Sequence, residues 1–352
     1  MLNSKKKLKS TAAAVGRTDS GLFKVSQSKI SKWRQCRQAY HYAHVEKIAP
    51  KRKSRPLKFG GIVHDMIDAD IKGQNPFKKL KEIGKTNEKL FDAEREMYGD
   101  IIKDVGYIMD EYFNYWDARP ETIDYMDIGK GKDKFKCEAP FEVEIDKGYI
   151  LAKGRIDAAG KAKKLKWLVE HKSHKTFPKP EHRWRNLQSV FYIRIFDMMG
   201  WGSLDGTCWD YIRSKPPTRP TILKAGGMSK AALDSLPSVV RDVAKANKIA
   251  ERDYADVMKT QMENRATWFQ RVFTPVSKDI IEPVMKDLLD TSREMADLHG
   301  TSRTKTFGRH CEWCGYAKLC AAELQGHDVE FVKEREYEFN EYEAEKEELV
   351  ED

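Results

Sequence analysis

With 352 residues, 40% of them hydrophobic, the chain can hold one large domain with insertions or two smaller ones around a sizeable core. No apolar run reaches membrane-spanning length, and the opening MLNSKKKLKS lacks the apolar segment of a secretory signal, so a soluble cytoplasmic protein is expected. The net charge of +9 combines two opposed parts: residues 322–352 carry 13 acidic and 3 basic side chains, leaving +19 on the remainder and pointing to a polyanionic partner, nucleic acid first.

Residues 1–20 are rich in Lys, Ser and Ala without apolar periodicity and read as a disordered basic N-terminus. A helix is expected from Ser28, its N-cap candidate, to Val45, followed by the basic loop PKRKSRP and a second helix at FGGIVHDMIDADI. Residues 75–127 show helical patterns and read as a helical insertion, with GKGKDK as a loop behind it. Strands follow at FEVEID, YILAKGRIDAAG and LKWLVEHKSH, then a helix at RWRNLQSVFYIRIFDMMG and a strand at GTCWDYIRS. The rest is largely helical apart from a strand at WFQRVFT, and residues 322–352 form an acidic tail. Strands flanked by helices on both sides predict an α/β domain over residues 21–321 with a mixed central sheet.

The stretch LKWLVEHKSH places Glu170 and Lys172 on one strand face and His171 on the other, where Trp167, Leu168 and Val169 already predict burial. Charges there are costly unless paired or used. The turn material before the strand is centred between Lys163 and Lys164, so a symmetric hairpin sets Asp157 directly opposite Glu170. Two facing carboxylates repel unless a cation lies between them, and hard oxygen ligands on a rigid sheet suit Mg²⁺ or Mn²⁺. Lys172, on the same face, would stabilise negative charge on a phosphate or orient an attacking water, a combination that calls for a phosphodiester. A salt-bridged surface patch is the competing reading of the same three residues.

Six cysteines are present, and CEWCGYAKLC clusters three of them, Cys311, Cys314 and Cys320. Three thiols at that spacing in an intracellular protein suggest metal rather than disulfide and leave one ligand position open. Zinc suits four thiolates, with His310 as a spare ligand. Cys137 and Cys208, in or beside strands, read as core cysteines.

GRID followed by WLVEHKSH resembles the PD-(D/E)XK nuclease superfamily, in which an Asp and a Glu-x-Lys bind metal and cut DNA. FGGIVHDMID, LQSVFY and the cysteine set are similar to the RecB-like exonuclease branch, which includes CRISPR-adaptation and phage recombination exonucleases; the features span Ser28 to Cys320. The resemblance implies a restriction-endonuclease-like core with helical insertions. It implies metal held by His64, Asp157, Glu170 and the backbone carbonyl of His171, with Lys172, Gln188 and Tyr192 completing the catalytic set. It also implies a [4Fe–4S] cluster on Cys36, Cys311, Cys314 and Cys320, clipping the two ends of the domain together. Arg183 and Arg185 are candidate phosphate contacts. The expected activity is that of a divalent-metal-dependent DNA exonuclease in phage or bacterial recombination, repair or replication, working with a recombination or single-strand-binding protein. A structure-specific endonuclease and a non-catalytic DNA-binding module are the alternatives.

Overall fold

The two-residue turn at Lys163 and Lys164 sets the register on which the candidate site depends. Both lysines have left-handed backbones, φ 51° and 66°, as a type I′ hairpin loop requires of its two central residues. Asn-Gly is the usual solution; here two lysines adopt it, at a conformational cost of about 1 kcal/mol each. The turn closes on the pair Ala162–Leu165, and the ladder runs through Ala158–Val169. Continued by one residue, it sets Asp157 across from Glu170, the register predicted from the sequence.

The computed structural model describes residues 16–340, apart from positions 118, 225, 230 and 232. Most of the basic N-terminus expected over 1–20, and residues 341–352 of the acidic tail, lie outside the described residues. The chain divides into two compact units, one drawn from Met1–Lys53, Pro140–Arg155 and Lys278–Asp352, the other from Ser54–Ala139 and Ile156–Ser277. Both contribute to the stretch 21–321 read as one domain.

The second unit is built on a five-stranded sheet in the order Phe269–Pro275, Gly206–Arg213, Leu165–His174, Ala158–Ala162, Asp124–Tyr125. Gly206–Arg213 runs parallel to Leu165–His174 and the other pairs are antiparallel, so the sheet is mixed, as expected. Trp167 to His171 are all buried, which requires cover on both faces of the strand. Helices Arg55–Ile71 and Gln188–Met198 pack against it.

The helical segment expected over 75–127 forms Pro76–Asn87, Asp92–Tyr98 and Ile101–Asp117. Ile101, Val105, Ile108 and Tyr112 repeat at helical spacing, and this face is buried in one apolar cluster with Phe59, Val63 and Val240. The segment is therefore part of the unit's core. The GKGKDK loop is the turn of a hairpin whose strands are Ile128–Lys130 and Asp133–Phe135.

In the first unit, strands Phe23–Val25, Ile150–Ile156 and Ala139–Asp146 form a three-stranded sheet. YILAKGRIDAAG is thus two strands, broken at Asp157. The helix expected from Ser28 to Val45 starts earlier and is interrupted. Ser26 is the cap, its Oγ accepting from Lys29 N at 3.2 Å. The helix Gln27–Gln35 then ends at Cys36, whose backbone is extended, φ −166° and ψ 115°. A short helix, Arg37–Tyr40, and a π turn, His41–Val45, follow. The helix Lys278–Leu298 lies alongside, with Arg34 Nη2 donating to Asp287 Oδ2 at 2.8 Å and Trp33 Nε1 to Glu294 Oε2 at 3.1 Å. Part of the acidic segment is structured: Val329–Glu336 is helical, and Tyr337–Phe339 pairs antiparallel with Ile48–Pro50.

Candidate active site

Glu170 is fully buried, 0% exposed, near the middle of the Leu165–His174 strand. Two residues on and on the same face, Lys172 Nζ stands 2.8 Å from Glu170 Oε2 as an ion pair. Asp157 occupies the break between strands Ile150–Ile156 and Ala158–Ala162. The backbone N–H of Glu138 donates to the Asp157 carbonyl at 2.8 Å, pinning a second acidic residue beside it. Glu138 holds a left-handed backbone, φ 52°, a conformation costly for a residue with a Cβ and concentrated at functional positions.

His64 arrives from the helix Arg55–Ile71, and the glycine pair before it explains how. A Cβ on Gly60 would meet Ser173 Oγ at 3.2 Å, whereas one on Gly61 would meet nothing within 4 Å. Gly60 thus lets the helix approach the strand carrying Glu170 and Lys172, and His64 lies one turn further on the same helix face. Among the described residues, one group of three or more metal-ligating side chains has its ligand atoms all within 4.8 Å of one another: His64, Glu138 and Asp157. Glu170 stands outside that group.

The electrostatics favour a cation. Asp157 Oδ2 and Glu170 Oε1 are buried without a hydrogen-bond partner, while Glu170 Oε2 has the Lys172 ammonium beside it. Buried carboxylate oxygens without donors are costly, and a divalent ion is the group whose chemistry matches them. Burial pushes the Glu170 carboxyl up to about 6; Lys172 works against that rise and Asp157 adds to it. For Lys172, burial alone would lower the pKa, but Glu170 and Asp157 outweigh it and hold the ammonium protonated well above the ordinary lysine range. His64 is pushed down to about 4 by burial first, then by His171 and Lys172. A neutral imidazole at pH 7 keeps a lone pair for a metal. These residues fit Mg²⁺ or Mn²⁺.

Gln188 opens the helix Gln188–Met198, and Tyr192, one turn on, is buried. The Tyr192 hydroxyl is raised by burial, then by Glu170 and Asp157, with Lys172 and a hydrogen bond from Gln188 opposing. The two side chains therefore meet each other and sit within the field of the carboxylates. The structure brings His64, Asp157, Glu170, Lys172, Gln188 and Tyr192 into one region.

His171 turns its side chain to the opposite face of the sheet. In register, His171 lies beside Asp210 and Asp210 beside Arg271, across three neighbouring strands. Asp210 Oδ2 lies 3.2 Å from His171 Nδ1 and accepts from Arg271 Nη2 at 3.4 Å and from the Tyr112 hydroxyl. Burial would raise the Asp210 carboxyl, but Arg271 and these hydrogen bonds hold it down at about 2. Sequence reading missed this network, although Asp210 carried the same signal as Glu170, a charge in the middle of an apolar strand. It also missed Glu138, whose role depends on a left-handed turn that no local pattern announces.

The four cysteines expected to act together all lie in the first unit. Cys36 sits at the helix break, Cys311 in the 3₁₀ turn Arg309–Trp313, Cys314 just after it and Cys320 in the helix Ala317–Gln325. Cys36 and Cys314 pack against one apolar cluster with Tyr42, Tyr316 and Leu319. The Cys320 thiol is raised by burial first, with Lys305 opposing and Cys36 and Cys311 among the contributors. All four are free thiols and half-buried. Cys137 and Cys208 are buried in an apolar cluster with Trp167 and Val169. Burial drives the Cys137 thiol up to about 12 and raises Cys208 further, which leaves both unreactive at neutral pH.

The family model of the PD-(D/E)XK nuclease superfamily matches residues 24–321. No curated protein matches the sequence. Among solved structures, a provisionally named exonuclease from Eubacterium rectale is similar at 11% identity and a TM-score of 0.43, over 89% of this chain and 93% of its own. The protein SSO0001 is similar at 13% identity and a TM-score of 0.27, over 85% of this chain and 86% of its own.

Proposed function

Because this chain belongs to the PD-(D/E)XK nuclease superfamily, we propose that it is a divalent-metal-dependent deoxyribonuclease that digests DNA from its ends. The observation that carries the reading is the pair of buried oxygens without donors, Asp157 Oδ2 and Glu170 Oε1, beside the protonated Lys172. His64, Glu138 and Asp157 would hold Mg²⁺ or Mn²⁺, with Glu170 and the His171 carbonyl facing the same ion. When bound, the ion supplies an activated water and neutralises the scissile phosphate. Lys172 keeps its proton at neutral pH, so it acts as a fixed positive charge that orients the water and stabilises the extra charge on phosphorus. Tyr192 and Gln188, which lie in the field of the carboxylates, would contact the substrate or support the metal.

Cys36, Cys311, Cys314 and Cys320 would hold a [4Fe–4S] cluster that joins the N-terminal helices to the C-terminal turn. Its contribution is to folding, since metal binding to four thiolates adds directly to the stability of the bound state. Iron and acid-labile sulfide in protein purified without air support this assignment; stoichiometric zinc replaces it. We assign the activity to DNA recombination, repair or phage replication, beside a protein that supplies or coats single strands. Among the described residues no helix is long and apolar enough to cross a membrane.

The test is a time course on 5′-labelled linear DNA, single- and double-stranded, with a closed circle alongside and Mn²⁺ present. Loss of nucleotides from linear DNA with the circle intact is expected. A cut circle would replace the exonuclease with an endonuclease using the same residues. Inertness towards both in cluster-replete protein would leave a DNA-binding module.

A further inference from the structure

Beyond Lys172 the chain leaves the sheet at His174 and re-enters helix at Gln188. The connecting segment is therefore tethered at both ends beside candidate site residues. Its inner side is anchored on Tyr211: the His174 ring lies 5.6 Å away and the Phe177 ring 6.0 Å. The Tyr211 hydroxyl is raised by burial and opposed by Arg183 and then Lys172, so the segment lies within the field of the candidate site lysine.

Its outer side is unusual. The short helix Pro180–Trp184 buries no residue, and Trp184 is 67% exposed. The guanidinium of Arg185 sits 5.0 Å from the centre of its ring. That cation–π contact occupies part of the indole and leaves the rest of a large apolar surface in water. In the segment from Lys175 to Leu187, Lys175, Lys179, Arg183 and Arg185 flank Trp184 in sequence, against the single acid Glu181. An exposed indole among cations suits a ligand that is flat and aromatic along one part and anionic along another. Unpaired bases on a phosphate backbone have that chemistry.

We propose that Trp184 is a stacking platform for an unpaired base of single-stranded DNA entering the candidate site, with Lys175, Lys179, Arg183 and Arg185 following its phosphates. This rests on the nuclease reading and adds to it a preference for frayed or single-stranded ends. A base inside a duplex has both faces covered by its neighbours, so the platform has nothing to take from the duplex interior until the end frays.

The test is fluorescence anisotropy of labelled thymidine oligonucleotides against abasic ones of equal length, without divalent cation so that nothing is cut. The wild-type protein should bind the thymidine strand about tenfold more tightly, the scale of stacking one base on an aromatic side chain. Trp184→Ala should erase that difference while keeping the abasic affinity, and Trp184→Phe should retain most of it. Equal wild-type affinity for both strands, or a difference that survives Trp184→Ala, overturns the platform and leaves the nuclease reading to its own digestion assay. Trp184 is exposed and its helix buries nothing, so neither variant threatens the fold.

Discussion

Asp210→Asn tests whether the charge network under the candidate site holds the sheet together. The carboxylate is fully buried, and its Oδ2 gathers Tyr112, His171 and Arg271 from three elements of the second unit. Its pKa falls from an ordinary 3.8 to about 2. At 1.36 kcal/mol per unit, this depression corresponds to roughly 2 kcal/mol of stability from the ionised form. A depressed carboxyl contributes fully above its unfolded pKa, so the contribution should be present above about pH 4 and vanish as pH falls through about 2. Asp210→Asn removes the charge at every pH and leaves the buried Arg271 cation without its counter-ion, which costs about 3–5 kcal/mol. Chemical denaturation from pH 7 down to pH 2 measures both effects. The variant should be several kcal/mol less stable at pH 7, and the gap to wild type should narrow below about pH 4. Adding Arg271→Met should recover part of the loss, because no uncompensated cation then remains buried. A variant within about 0.5 kcal/mol of wild type at pH 7, the range of ordinary surface substitutions, would refute the reasoning. A gap that stays constant across the acid range would do the same.

Three further outcomes are expected. Lys172→Ala should lower the cutting rate by at least about a hundredfold with the circular dichroism spectrum unchanged; activity in the purified variant would remove the lysine from this role. Glu138→Gln should weaken Mn²⁺ binding by about tenfold or more, read by calorimetry, because it takes one charged oxygen from the group formed with His64 and Asp157; unaltered affinity would show that Glu138 is no ligand. The neighbouring glycines should part company. Gly61→Ala meets open space and should stabilise the helix by about 1 kcal/mol, whereas Gly60→Ala presses on Ser173 Oγ, should lose that gain and should displace His64 enough to weaken Mn²⁺ binding. Equal behaviour of the two alanine variants would mean that the helix does not need Gly60 for its approach to the strand.

Much of the site was legible because its geometry follows from local rules. A strand alternates its side chains, so Glu170 and Lys172 had to share a face and His171 had to leave it. A two-residue turn has one centre, so the pairing of Ala158 with Val169, and hence the place of Asp157, could be counted from Lys163 and Lys164. The mixed sheet and the helix carrying His64 followed from periodicity, which is written in consecutive residues. Glu138 was not legible, because its approach to Asp157 depends on a positive φ that Glu rarely adopts. Nor was the break at Cys36, where an extended residue interrupts an otherwise continuous helical pattern. The Asp210 network needed three strands in register and a helix from the 75–127 segment, which read as an insertion until Ile101, Val105 and Ile108 proved to be core. Local sequence thus determined which side chains share a face and which neighbours lie across a turn. Only the tertiary structure decided which buried charges meet, because the energy that selects those partners comes from desolvation, and burial is a property of the whole fold.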